Sequence, residues 1–325
     1  MADILVIGRN DAESLGLGWE EILNVIEDVF RERAAGHVEN PPKPGIHPRD
    51  DAFIHAMPAY LARSGLAGCK WIAGYPQNTR RGLPYIQGLL ILTDPETGST
   101  LAVIDGAWLT EVRTAAVSGV VARRFAPAPR RLGVIGCGVQ ARRHLTMFLD
   151  IAPSIETVQA FDHKPRAASD FAQLAADHGT QGQVARSAAE AVANADLVVT
   201  AGAIHTDPVQ ELDGSEVAEN SVILPIDFDA AWQTKAITGS SLFCVDDIEQ
   251  YEYYQRERLF PRVSQSDHGI GSRLVGDGSS PGAGKKDIPQ PGPRDGGCGI
   301  GRARVPPVHG ERGRAPGPAY LAFNA

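Results

Sequence analysis

Between Trp19 and Gly36 the apolar residues Ile22, Leu23, Val25, Ile26, Val29 and Phe30 recur at three- and four-residue spacing. That period puts them on one face and predicts an amphipathic helix over residues 19–36, with Gly36 as its stop. A loop containing Pro41, Pro42 and Pro44 separates this helix from three strand-like runs, at 53–57, 70–75 and 89–93. Asp94-Pro95-Glu96-Thr97 with Gly98 is strong turn chemistry, so residues 88–93 and 99–105 are expected to form a hairpin. Helical spacing resumes over 110–125. The opening third therefore reads as an α+β unit built on antiparallel strands.

Beyond Pro127 and Pro129 the rhythm changes. Apolar runs of the buried type, at 132–135, 158–161, 197–200, 222–226 and 242–245, alternate with helical stretches. Such alternation predicts βαβ units and a doubly wound parallel sheet, an α/β fold. Ser187 with Glu190 forms a capping box ahead of a short helix ending near Asn194. From about Arg262 no apolar period is sustained, and residues 262–325 contain 14 Gly and 8 Pro. That composition buries too little surface to offset its ordering entropy, and predicts an irregular tail. The expected division is 1–128, 129–261 and an irregular 262–325.

The 325 residues suffice for two domains and a buried core. A net charge of −8, with no compact Lys/Arg run, argues against a nucleic-acid partner. An acidic chain that handles an anion must keep basic groups inside its pocket. Cys69, Cys137, Cys244 and Cys298 are too scattered for a disulfide framework or a CxxC site. The histidines show no metal-ligand spacing, so no metal is expected. With no signal-peptide pattern and no membrane-length apolar run, the expected setting is the cytoplasm.

One motif carries chemistry. LGVIGCGVQA (132–141) runs from an apolar strand through a glycine turn into a helix expected at 144–149. Gly136 permits the turn, Gly138 lets backbone approach a pyrophosphate, and Ala141 permits close helix–strand packing. Phosphates would sit at the positive helix N-terminus, beside Val139 and Gln140. The next strand ends at Asp162, where an acid takes the ribose hydroxyls and repels a 2′-phosphate. This favours NAD, while nearby Lys164 and Arg166 leave NADP open. Thr200 and Ala201, at the end of the third strand, complete the candidate cofactor set.

With these residues in hand, the sequence resembles the ornithine cyclodeaminase/mu-crystallin family over roughly residues 1–260. The match rests on MPAYL at 57–61 with GCKW around Lys70, GLLILTDPETGSTLAVIDG at 88–106, LTEVRTAAVSGVVARRFA at 109–126, and GCGVQA. The resemblance implies a substrate and dimerisation domain joined to a Rossmann domain, in a homodimer. It implies that Lys70 and Arg113 hold a substrate carboxylate, that Thr114 helps bind the cofactor phosphate, and that Asp227 is the catalytic acid. Its activity would be NAD-dependent conversion of a small amino acid, ornithine to proline plus ammonia, by hydride abstraction and return. Lys43 stands where the family often has arginine, and lacks the bidentate fork. LPID at 224–227 replaces a glycine-rich stretch, which leaves ornithine specificity open. No counterpart of the family's closing helices is visible in the tail; one hypothesis is a change of reading frame after about Phe260.

The residues support this chemistry independently. Carboxylate clamping by Lys70 and Arg113 would present Cα to the nicotinamide. Asp227, at a predicted strand end between Ile226 and Phe228, could be desolvated there and its pKa raised for general acid–base work. Each residue also has a plainer reading. Lys70 could snorkel to solvent, Arg113 could make a surface ion pair, and Asp229, Asp246 and Asp247 compete with Asp227 as turn or cap residues. Cys137 reads as a small filler, and His144 and His163 as solvated. The alternatives are a ketimine reductase, an alanine- or opine-type dehydrogenase, or a dinucleotide-binding protein without turnover.

Overall fold

The structure is a computed structural model that describes residues 4–203, 209–228, 230–256 and 268–275. The chain opens with β1 (Leu5–Ile7), α1 (Arg9–Ser14) and α2 (Trp19–Ala34). Ile22, Leu23, Ile26, Val29 and Phe30 of α2 are buried, as their spacing predicts, and Gly36 follows the helix at φ +75°. Short strands β2 (Val38–Glu39) and β3 (Gly45–Arg49) lead to the long pair β4 (Ala52–Leu61) and β5 (Leu66–Gly74). Then come β6 (Ile86–Thr93), β7 (Thr100–Asp105) and α3 (Gly106–Phe125). The sheet runs β1-β7-β6-β5-β4-β2, with β3 also on β4. Its pairs are antiparallel except β1 on β7.

The expected hairpin is β6–β7, closed by Asp94, whose Oδ1 accepts from Glu96 N at 2.8 Å and whose Oδ2 accepts from Thr97 Oγ1 at 2.9 Å. Helix α3 begins earlier than the spacing predicts, because Asp105 caps it by accepting from Trp108 N at 2.6 Å. Its buried side packs on α2, on α4 (Val139–Ile151) and on β6. One core therefore runs from Leu90 and Leu92 through Leu109, Ala115 and Ala116 to Leu132 and Met147.

The second sheet is made of β8 (Arg131–Ile135), β9 (Thr157–Phe161), β10 (Gln181–Val184), β11 (Leu197–Thr200) and β12 (Val222–Pro225). Its order is β10-β9-β8-β11-β12 and every pair is parallel. This is a Rossmann-type doubly wound sheet, and the order reverses between β8 and β11, the place where such folds bind ligands. Around it lie α5 (Pro165–Asp177), α6 (Ala188–Val192) and α7 (Thr234–Thr238). Ser187 caps α6 as expected, accepting from Glu190 N at 3.1 Å. The Glu190 carboxylate turns instead to Arg186 N at 2.7 Å, so the reciprocal half of the expected box is absent.

One strand escapes the sequence reading, and two expectations need correction. Strand β10 carries no apolar run, since it is a largely exposed edge strand. The run at 242–245 does not extend the parallel sheet: only β13 (Cys244–Val245) forms, and it pairs with β14 (His268–Gly269). Between these two strands lies α8 (Ile248–Arg256). The expected tail is not irregular throughout, since β14 lies within it. Helix α9 (Ile270–Val275) packs on α2, with Ile270 buried and Gly271 so close to the Phe30 carbonyl that a Cβ there would lie 2.5 Å from it. Residues 262–267 and 276–325 of the expected tail lie outside the described residues. Among the described residues no helix is long and apolar enough to cross a membrane.

Candidate functional site

A cleft of about 3220 Å³ opens between the two sheets, and Lys43, Lys70, Arg113, Gly136, Asp162 and Asp227 all line it. Residues from six separate stretches of sequence thus reach one space. Helix α3 spans the junction and carries Thr110, Arg113 and Thr114 into it.

At the parallel sheet the wall is made mostly of backbone. Gly136 takes φ +80°, and a Cβ there would lie 2.7 Å from the Ala201 backbone. Only glycine suits both the angle and the space. At Gly138 nothing lies within 4 Å of the place a Cβ would occupy, so the main chain is open to an approaching group. Gly138 is the N-cap of α4 and supplies no side-chain cap, which leaves the first-turn N–H groups without a capping side chain. Asp162 Oδ2 accepts from Cys137 N and Oδ1 from Lys164 N, both at 2.8 Å, tying the end of β9 to the glycine turn. Buried Cys137 is a filler: desolvation and the Asp162 charge push its thiol up to about 12.

The opposite wall is built from charged side chains. Lys70, on the inward face of β5 opposite Met57, is 1% exposed, and its Nζ donates to Thr110 Oγ1 at 3.4 Å. It does not snorkel. Burial, then the neighbouring Arg113 and Lys43 charges, holds its ammonium well below the usual lysine range. Lys43 is lowered to about 8 by burial and by Arg113, against the opposing pull of Asp246 and Asp247. His55, on the same strand face as Met57, is lowered to about 4 by burial and by Lys43, His47 and Lys70, so it is neutral near pH 7. Arg113 lines this cleft from α3, near enough for its charge to bear on both Lys70 and Lys43.

Asp227 follows β12 and is 2% exposed. Its Oδ1 accepts from Thr200 Oγ1 at 2.6 Å and its Oδ2 from Gly202 N at 3.0 Å. Its competitors divide. Asp247 is structural: its Oδ1 caps α8 at Gln250 N, 3.0 Å away, and bridges Arg33 at 2.7 Å. Asp246 lines the cleft, as Asp247 also does, and Asp229 lies outside the described residues.

With that geometry described, relatives can be compared. The sequence profile of the ornithine cyclodeaminase/mu-crystallin family matches residues 9–213. The chain belongs to this family. The nodulation efficiency protein NfeD of Rhizobium meliloti is 38% identical over 257 residues, covering 78% of this chain and 78% of that protein. An alanine dehydrogenase of Archaeoglobus fulgidus is 32% identical over 257 residues, covering 77% and 76%. Among solved structures, the Δ1-pyrroline-2-carboxylate reductase of Thermococcus litoralis, in complex with NADH and L-proline, aligns with a TM-score of 0.72. It is 27% identical, covering 84% of this chain and 86% of that one.

In this ornithine cyclodeaminase/mu-crystallin family member, Thr200 and His144 sit otherwise than expected. Thr200 is fully buried and does not line the cleft; its hydroxyl is spent on Asp227. Gln140 lines the cleft beside the glycine turn, and its Nε2 donates to Thr110 O of α3 at 3.3 Å. Thr114 lines the cleft, with its hydroxyl donated to Thr110 O at 2.6 Å. His144 is not solvated: it is 1% exposed, bonded to Ser118 Oγ at 2.9 Å and to Gln140 O at 2.8 Å. Burial, followed by the Arg113 charge, lowers it to about 4. His163 is exposed, as expected, and stands edge-on to Phe161. Sequence reasoning missed Thr110, the node joining Lys70, Gln140 and Thr114. Its i, i+4 spacing to Thr114 on the helix that carries Arg113 was the available signal.

Proposed function

We propose that this chain is an enzyme that binds NAD and transfers a hydride at the Cα of a small α-amino or α-imino acid. The observation that carries the reading is the convergence of Lys43, Lys70 and Arg113 on the cleft that also holds the glycine turn and Asp227. The residues present fit a dinucleotide. Open backbone at Gly138, the uncapped start of α4 and the acid ending β9 would hold pyrophosphate and ribose, with Val139, Ala201 and Thr114 alongside. Asp162 would exclude a 2′-phosphate, since Lys164 and Arg166 are exposed and Arg166 faces Asp170 at 3.8 Å.

Bound NAD supplies the hydride acceptor. The chain's own residues do the rest. Arg113 and Lys70, with Lys43 as a point charge, would fix the substrate carboxylate and hence the orientation of Cα. Asp227 would take the proton from the substrate nitrogen. The alanine dehydrogenase and pyrroline-2-carboxylate reductase relatives support amino- and imino-acid substrates of this size. A second reading, cyclodeamination of ornithine to proline and ammonia, is favoured by the family match; it needs the side-chain amine to attack the oxidised Cα, the α-nitrogen to leave as ammonia, and the hydride to return to the cyclic imine.

A homodimer suits the outer face of the antiparallel sheet. Trp71, Leu89 and Ile91 point outward there at 48%, 50% and 41% exposure, and the solved archaeal alanine dehydrogenase is a dimer. We divide the chain into a substrate-binding and dimerisation domain over 1–128 and a dinucleotide domain over 129–261. A cytoplasmic setting suits the free thiols of Cys69, Cys137 and Cys244.

Incubation with NAD and L-alanine, L-proline or L-ornithine separates the readings. Reduced cofactor from alanine or proline marks a dehydrogenase or reductase, and ammonia from ornithine without net reduction marks a cyclodeaminase. NAD binding without either product across a panel of amino acids would leave a non-catalytic binding protein.

A further inference from the structure

The bonds behind Asp227 form a chain with a direction. Trp232 is 2% exposed, and its indole Nε1–H donates to Thr200 Oγ1 at 3.3 Å. An indole N–H can only donate, so it occupies a lone pair of the threonine oxygen. The single hydroxyl hydrogen of Thr200 is then directed to Asp227 Oδ1, 2.6 Å away. Gly202 N–H donates to Oδ2 at 3.0 Å, and a Cβ on Gly202 would lie 3.1 Å from that oxygen. The following residue, Phe228, takes φ +61°, an uncommon conformation for a bulky side chain. Strain of this kind persists where the surroundings over-determine a local geometry.

We propose that Thr200 and Trp232 are positioning residues for proton transfer by Asp227. They hold its carboxylate as an ionised acceptor at a fixed angle to the cleft, from behind it in the case of Thr200 and from the cleft lining in the case of Trp232. The inference rests on the reading of Asp227 given above. In the step it serves, a proton passes from the substrate nitrogen to an Asp227 oxygen, and no electrons move through Thr200 or Trp232. Two donors on the anion stabilise it relative to the acid and restrict its rotation.

The test compares Thr200→Val, Thr200→Ser, Trp232→Phe and Asp227→Asn by two readouts. In turnover, Thr200→Val should lose about 10- to 100-fold in kcat, the worth of one hydrogen bond to a charged group. KM and NAD affinity should stay within about 3-fold, Thr200→Ser should recover most of the rate, and Trp232→Phe should fall between the two. Independently of turnover, the indole N–H resonance of Trp232, assigned by its loss in Trp232→Phe, should shift in Thr200→Val and stay in place in Thr200→Ser. An unshifted resonance in Thr200→Val overturns the inference. Full kcat in Thr200→Val while Asp227→Asn is inactive also overturns it, and leaves the reading of Asp227 standing. Full activity in Asp227→Asn overturns that reading and the inference with it.

Discussion

The two walls of the cleft solve opposite problems. The parallel-sheet wall works by leaving things out: no Cβ at Gly136 or Gly138, and no side-chain cap on α4. The antiparallel wall works by forcing charge in, with Lys70 almost wholly buried beside Lys43 and Arg113. Partial charges of the main chain are fixed and cost less to desolvate than a full charge, so they suit a large ligand of the kind that solved relatives hold, NADH in one and NAD in another. Buried ammonium groups are costly and are relieved when an anion arrives. The lesson is that one wall should tolerate charge changes but no added methyl, and the other the reverse.

The largest expected effect breaks the first wall. Gly136→Val puts a branched side chain at φ +80° against the Ala201 backbone. NAD affinity should fall at least about 100-fold, roughly 2.8 kcal/mol, in a fluorescence titration. A change below about 5-fold would mean that the turn does not hold the diphosphate. At the second wall, Lys70→Met should cost about 30- to 1000-fold in kcat/KM and leave NAD affinity unaltered. Thermal stability should hold or rise, because a costly buried ammonium is gone; a large loss in Tm would show that Lys70 is structural.

Lys43 sharpens the contrast through pH. Its folded value is near 8, against an ordinary 10.5. Above pH 8 the folded chain loses this charge, so kcat/KM for a carboxylate substrate should fall there, and Lys43→Arg should remove the part of the fall that belongs to Lys43. Stability should move the other way and rise between pH 8 and 10.5, where only the unfolded chain keeps the proton. His144 has the corresponding acid-side effect. It is lowered to about 4 from 6.5, so its contribution is present above pH 6.5 and lost as pH falls toward 4. The acid limb of a Tm-versus-pH curve should flatten in His144→Phe. The smallest effect is expected at Ser187→Ala, about 1 kcal/mol of stability from the α6 cap with unaltered NAD binding.

The same contrast explains what the sequence made legible. The glycine turn, its strand and the acid at 162 lie within 31 consecutive residues, 132–162, and their chemistry is local. The helix at α2, the 94–98 turn and the α6 cap were readable for the same reason. Residues 43, 70 and 113 meet only through tertiary packing, so their types were suggested by family resemblance and their burial was not visible. Strand β10 escaped because an exposed edge needs no apolar run, and β13 was misplaced because a short apolar stretch does not reveal its partner. His144 read as solvated because its buried partners, Ser118 and Gln140 O, lie on helix faces that periodicity does not orient.

The central claim is that open backbone between β8 and β11 grips a dinucleotide. Calorimetric titration of the purified chain with NAD and with NADP tests it directly. The account predicts saturable binding of one NAD per chain, at least about 10-fold tighter than NADP because of Asp162, and abolished in Gly136→Val. Absence of binding heat with both coenzymes in the folded protein would contradict it.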